Sequence, residues 1–246
     1  MTTSSLLEDA QDCYGFVPAV TIDDDVVDFE RFAECVEWLT ADLQACGVSS
    51  GSRVGLGVQS GWALVLTWHA LVAIDAVVVP MDLCDEDSVE QARALDLDFV
   101  LAHRAHDNVL EDVIDELIDE ATPPCVYRVA EEFALVGVGD EGPGRPGGGG
   151  LVTDLDSGRV ERADHLLAEA ERIGRRLDLW PGVRVRLCGA LNTRPAMLLI
   201  IACAARGACA CVEASSVPTG DTAIEVVPVI DRPESEQARP LLSVVC

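Results

Sequence analysis

FERFAECVEWLTADLQACGVSSGSRVGLGVQSGWALVLTWHALVAIDAVVVP, residues Phe29 to Pro80, is the stretch from which the fold is read. Phe29, Phe32, Ala33, Val36, Leu39 and Leu43 recur at three- and four-residue steps, which predicts a helix from Asp28 to Ala45 with one apolar face. Gly47 ends it, and "GVSSGS" turns the chain into the strand "RVGLGV". An apolar helix from about Ser60 to Ala73 follows, then a turn at "AID" and the buried strand "AVVVPM". The run Trp62 to Pro80 is apolar enough to imitate a membrane span. His69 and Asp75 oppose that reading, since an aspartate near the middle of a span costs roughly 2.5 to 3.5 kcal/mol.

The pattern recurs. Moved by 131 positions, the stretch falls on "VERADHLLAEAERIGRRLDLWPGVRVRLC" without a gap. Glu30, Arg31, Gly51, Arg53, Val54, Leu56 and Ala73 meet Glu161, Arg162, Gly182, Arg184, Val185, Leu187 and Ala204. Four of these pairs spell G-x-R-V-x-L at a helix-to-strand junction. This predicts a structural repeat of helix, strand, helix and strand. "SVEQARAL" and "FVLAH" add a helix and a strand to the first round, and Asp107 to Glu120 forms an acidic amphipathic helix with Val109, Val113, Ile114 and Leu117 inward. "DEGPGRPGGGG" cannot support a regular element and suits a linker. The expected organisation is therefore a first α/β half over 1–139, a linker over 140–150 and a second half over 151–246, with mainly parallel sheets flanked by helices.

Composition limits what these halves can do. The 246 residues are 49% apolar and carry a formal charge of −26, which repels phosphate backbones and anionic lipid, so neither nucleic acid nor a membrane is an expected partner. All seventeen basic residues are arginine. Without lysine there is no Schiff-base chemistry and no phosphate-binding ammonium. A coding bias or a salt-adapted surface accounts for that composition. The ten cysteines are scattered through apolar stretches behind a polar, acidic start, MTTSSLLEDAQDC, which reads as a reduced, cytoplasmic chain whose thiols behave mostly as small hydrophobes. Cys209-x-Cys211 and His103-x-x-His106 lack second pairs at zinc-site spacing, so no metal is expected.

The residues around Gly47 to Pro80 resemble the opening region of the adenylate-forming, AMP-binding superfamily of acyl-CoA synthetases, peptide-synthetase adenylation domains and luciferases. Gly47, Val48, Gly51, Arg53, Val54, Val77, Val79 and Pro80 match its turn-strand-helix-strand pattern. Ser52 replaces an aspartate, and Asp75-Ala76 replaces alanine-glycine. "HLLAEAERIGRRLDLWPGVRVRLCG" is similar to the region after that superfamily's phosphate loop, where His165 takes the place of a recurrent histidine. A short actinobacterial family of AMP-binding-like proteins fits the length and organisation best.

The resemblance implies a loop rich in glycine, serine and threonine that ends in lysine and cradles ATP phosphates. Its counterpart here is Thr153-Asp154-Leu155-Asp156-Ser157-Gly158-Arg159, several residues short and with two aspartates where phosphate must sit. Thr153, Ser157, Gly158 and Arg159 are its candidate ligand residues, and no catalytic residue is assigned. ATP or AMP with magnesium is the cofactor the resemblance implies, and the charge of this loop argues against holding it. The superfamily's adenine, ribose and magnesium motifs have no counterpart in this sequence.

The leading expectation is a degenerate relative without adenylation activity, a binding or regulatory module for a small anionic or acyl ligand or a protein partner. The alternatives are a piece of an AMP-forming carboxylate ligase completed by a partner chain, and a structural protein that associates through segments such as "AMLLIIACAARGACACV". Gly55 to Gly61, "GLGVQSG", has the wrong spacing for a dinucleotide turn. His69 reads as a core histidine. Arg184 and Arg186 alternate on a strand, face one side, and suit acidic neighbours or an anionic ligand.

Overall fold

The computed structural model describes residues 6–22, 25–58, 61–83, 85, 87, 90, 94–103, 125–129, 133–138, 149–154, 157–187, 191–212, 223–227 and 243–245. The expected helix over 107–120 and most of the 140–150 linker lie outside the described residues. Two compact units emerge. One comprises 1–34, 60–65 and 167–246, and the other 35–59 and 66–166.

The expected succession is present. Helix α2 (Phe29–Ala45) leads to strand β3 (Arg53–Leu56), helix α3 (Gly61–Ile74) and strand β4 (Val77–Pro80); later, α4 (Ala163–Arg176) leads to β10 (Arg184–Leu187), α5 (Arg194–Arg206) and β11 (Cys209–Val212). Phe29, Phe32, Val36, Leu39 and Leu43 of α2 are all buried, as their spacing requires. The membrane-like run resolves into a fourteen-residue helix and a strand, and among the described residues no helix is long and apolar enough to cross a membrane. Both inner strand pairs are parallel. Arg53 lies opposite Val77, and Arg184 lies opposite Cys209, one residue further along the second round.

The repeat is real at its junction and drifts at its ends. Gly51 and Gly182 both adopt left-handed backbone, φ 80° and 96°, two residues before the strands begin. Glu30 and Arg31, however, lie in α2, whereas Glu161 and Arg162 lie in strand β9 (Arg159–Arg162). Those two identities therefore join unlike elements. Ala73 and Ala204 are likewise one residue out of step, because the left-handed residues that end the two helices are Asp75 and Gly207.

The sheets are mixed, parallel in the middle and antiparallel toward the edges. One runs β6 (Cys125–Val129), β7 (Phe133–Gly137), β5 (Phe99–His103), β3, β4, β8 (Gly150–Asp154), β9. The other runs β13 (Ser243–Val245), β12 (Ala223–Val227), β10, β11, β1 (Pro18–Ile22), β2 (Asp25–Asp28). Each repeat is preceded by a hairpin that pairs into the other repeat's sheet: β1 lies parallel to β11, and β8 lies parallel to β4. The compact units thus draw on both sides of residues 140–150, with 1–34 grouped with the later chain and 151–166 with the earlier.

The two hairpins enter their helices alike. The Phe29 N–H donates to the Val17 carbonyl, and the Ala163 N–H to the Gly149 carbonyl, each acceptor standing just before the hairpin's first strand. In each case an otherwise orphaned helix-start donor is satisfied by the hairpin.

Both faces of the first sheet are buried. Val54, Leu56, Val78, Leu101, Leu135 and Leu151 line one, and Val77, Val79, Met81, Val100, Ala102, Val136 and Val152 the other. This is the burial expected of strands covered on both sides. In the other unit, α1 (Leu6–Tyr14) packs on α5, and Tyr14 lies 5.7 Å from Phe29 between ring centroids. Ala196 through Ala204 of α5 are all buried, so the apolar segment considered as an association surface lies in this unit's own core.

Candidate functional site

The segment that the sequence places at a phosphate loop is a closed hairpin. Gly150 lies opposite Arg162, Leu151 opposite Glu161 and Val152 opposite Val160; after an irregularity at Thr153, Asp154 lies opposite Arg159. Leu151 and Val152 are buried and Val160 packs against the same apolar cluster as Val152, so the strands are held as part of the sheet. The ladder is closed as far as Asp154 and Arg159. A phosphate-cradling loop presents several backbone N–H groups to an anion, whereas here the flanking strands are engaged with one another.

The structure brings some of the candidate residues together. The Thr153 hydroxyl donates to the Arg159 carbonyl at 3.4 Å. Ser157 and Gly158 form the turn, with Gly158 at φ 61° and a Cβ there falling 2.7 Å from Leu95 Cδ2. Arg159 is exposed. Further on, Arg162 Nε pairs with Asp164 Oδ1 at 3.2 Å, and this hydrogen bond holds the Asp164 carboxyl below its usual range. His165 is exposed at the start of α4, its backbone N–H donating to Asp164 Oδ1. These contacts tie the segment to itself.

The base of the hairpin is fixed by Asp75. The Gly149 N–H donates to Asp75 Oδ1 at 2.7 Å, the Ser50 hydroxyl donates to Asp75 Oδ2 at 2.9 Å, and the Gly150 N–H reaches the Ala76 carbonyl at 3.1 Å. Asp75 stands where the resemblance has the alanine of alanine-glycine and adopts φ 64° in spite of its side chain.

A second constellation lies on the other sheet, where the structure joins the Cys209-x-Cys211 and Arg184-x-Arg186 pairs that the sequence named separately. Cys209 and Cys211 share a face of β11, with Arg184 and Arg186 opposite them on β10 and Thr21 opposite Cys211 on β1. Thr21 Oγ1 lies 3.1 Å from Cys209 Sγ. Cys203 and Cys209 are buried, as expected of small hydrophobes, but Cys211, Cys35 and Cys46 are half-buried and Cys13 is exposed. Hydrogen bonding to Cys209 pulls the Cys211 thiol down to about 7 against the opposing effect of burial, with help from Thr21, Arg184 and Arg186. The Cys209 thiol is pushed up, first by its hydrogen bond to Cys211 and then by burial. The strand alternation of C-x-C with R-x-R was the available signal. No group of three or more histidines, cysteines or carboxylates fit to hold a metal occurs among the described residues.

No family model matches the sequence, and no curated protein does. Solved structures match it well. A putative long-chain-fatty-acid CoA ligase from Rhodopseudomonas palustris aligns with TM-score 0.63 at 15% identity over 86% of this chain and 57% of its own. The N-terminal domain of FACL13 from Mycobacterium tuberculosis aligns with TM-score 0.62 at 16% identity over 90% and 58%. The nonribosomal peptide synthetase FmoA3, bound to α-methyl-L-serine-AMP, aligns with TM-score 0.65 at 16% identity over 86% and 24%. At these identities the likeness establishes the fold, that of the N-terminal part of adenylate-forming enzymes. The chain spans little more than half the length of the first two structures.

Proposed function

We propose that the chain is a ligand-binding or regulatory module on the scaffold of adenylate-forming ligases and does not itself adenylate a carboxylate. The observation that carries this reading is the hairpin closed at Asp154 and Arg159. The sequence of this segment carries aspartates at 154 and 156, and the chain contains no lysine to neutralise a triphosphate. Like charges about 4 Å apart repel by about 1 to 4 kcal/mol per pair between bulk water and a protein surface. Without a lysine, and with aspartates at 154 and 156, the segment does not suit the phosphates of ATP. A small anionic or acyl ligand, or a protein partner, is the binding class this reading retains. Membership of the short actinobacterial AMP-binding-like family belongs to the same reading.

The test is a thermal-shift titration of the purified chain with ATP, AMP, CoA and an acyl-CoA, with and without magnesium, joined to an ATP–pyrophosphate exchange assay. A ligand that binds only the folded state raises the melting temperature by mass action. The expected result is no shift with ATP or AMP and no exchange. Robust exchange that disappears in Arg159→Ala would overturn the proposal.

A second reading is a piece of an AMP-forming ligase whose nucleotide site is completed by another chain. It draws on the match to 57% of the Rhodopseudomonas ligase. ATP binding that appears only when a partner chain is added would favour it.

A further inference from the structure

The strand β11 carries Cys-Ala-Cys with both thiols on one face, because successive strand side chains alternate. Its two neighbours furnish that face. On β10, Arg184 stands opposite Cys209 and Arg186 opposite Cys211; on β1, Thr21 stands opposite Cys211 with its hydroxyl oxygen 3.1 Å from Cys209 Sγ. Burial is graded across the group: Cys203 and Cys209 are closed off, Cys211 is half-buried, Arg184 is half-exposed and Arg186 is exposed. Two guanidinium groups beside a partly accessible thiol are a local exception in a chain of net charge −26.

We propose that Cys211 is a reactive thiol that undergoes thiol–disulfide exchange with low-molecular-weight disulfides bearing carboxylates. The Cys211 thiolate attacks one sulfur of the disulfide, a new S–S bond forms, the original S–S bond breaks, and the departing thiolate leaves with the electron pair and takes a proton from water. The incoming disulfide is the oxidant, and a free thiol of the same class reverses the step. Cys209 and Thr21 are positioning residues that supply hydrogen bonds to the sulfur. Arg184 and Arg186 supply the positive field that favours the thiolate and draws an anionic disulfide.

The charged and titratable groups around Cys211 are consistent with that role. Hydrogen bonding to Cys209, then to Thr21, then the two arginines hold the Cys211 thiol near 7 against burial, while burial and then the charge of Cys211 push Cys203 up. Glu225 takes the register position opposite Arg186 on β12, one strand further away. A thiol titrating near 7 is about half thiolate at neutral pH, against a few per cent for an ordinary cysteine.

The test uses the intact chain. Iodoacetamide labelling followed by peptide mass spectrometry, from about pH 5 to about pH 10, gives a midpoint for Cys211 that does not depend on its accessibility. The expected midpoint is near 7, rising by about one pH unit in Cys209→Ala and in Thr21→Val; two variants guard against one failing to fold. Brief exposure to glutathione disulfide should place the adduct on Cys211 before exposed Cys13. Arg184→Gln with Arg186→Gln should slow that reaction about three- to tenfold while slowing the uncharged hydroxyethyl disulfide less. A midpoint in the ordinary thiol range, or first capture of glutathione by Cys13, would overturn the assignment of Cys211. Equal slowing with both disulfides would overturn recognition by charge.

Discussion

Asp75 accepts the N–H of Gly149 on its Oδ1 at 2.7 Å, from a backbone held at φ 64°. The end of α3 and the start of β8 are thereby joined across a sequence separation of 74 residues. Left-handed backbone costs a residue with a side chain roughly 1 to 2 kcal/mol, and a hydrogen bond to a carboxylate returns roughly 1.5 to 3 kcal/mol. The exchange favours aspartate over the alanine that the resemblance places at this position.

Replacing Asp75 should therefore follow an order. Asp75→Asn retains an acceptor and tolerates the left-handed backbone, so it should cost less than about 1.5 kcal/mol; Asp75→Gly loses both acceptors but relieves the backbone; Asp75→Ala loses the acceptors and keeps the backbone cost, for a loss of about 2 to 4 kcal/mol. Urea denaturation of the three variants reads the order directly. An alanine variant as stable as the parent would show that the contact contributes nothing.

Gly149→Ala attacks the same contact from the other side. A Cβ there would lie 2.6 Å from the Asp75 carbonyl carbon and 2.7 Å from its Oδ1, and one of these groups is backbone that cannot swing away. The expected cost is about 2 to 4 kcal/mol. Combined with Asp75→Ala the losses should be less than additive, since both disrupt one joint. Full additivity in a double-mutant cycle would refute the coupling.

At the repeated junction, Gly51 and Gly182 play the same part. Their φ values of 80° and 96° are costly for alanine, and at Gly182 an added Cβ meets only Trp180 at 3.5 Å, an ordinary contact. Gly182→Ala should thus lose about 1 to 2 kcal/mol from backbone conformation alone, with Gly51→Ala similar and the asparagine variants milder. Thermal unfolding monitored by circular dichroism would check this, and indifference to alanine at either site would contradict it.

Charge sets a fourth expectation. With a net −26, self-repulsion destabilises the compact state and is screened as the Debye length shrinks from about 10 Å at 0.1 M salt to about 3 Å at 1 M. The melting temperature should rise with sodium chloride across that range. Attractive pairs such as Arg194 with Glu169, at 2.6 Å and about one-third exposed, are screened too, but exposed pairs contribute only about 0 to 1 kcal/mol. A melting temperature that falls with salt would mean that such pairs outweigh the repulsion.

The sequence by itself determined the two rounds of helix, strand, helix and strand, because helix and strand periodicity and left-handed glycines are local properties carried by residues such as Phe32, Val36, Gly51 and Gly182. It also made the weakness of the phosphate-loop segment legible, since composition alone places aspartates at 154 and 156 and no lysine anywhere. Tertiary structure decided which sheet each hairpin joins. Nothing local to Gly150–Asp154 specifies pairing with β4, or to Pro18–Ile22 pairing with β11; the open edges of those strands, whose N–H and C=O groups require partners, select them. Tertiary structure also assembled Thr21, Arg184, Arg186, Cys209 and Cys211. Strand alternation tells which side a residue faces, whereas its neighbours on that side follow from cross-strand register, which exists only once the sheet has formed.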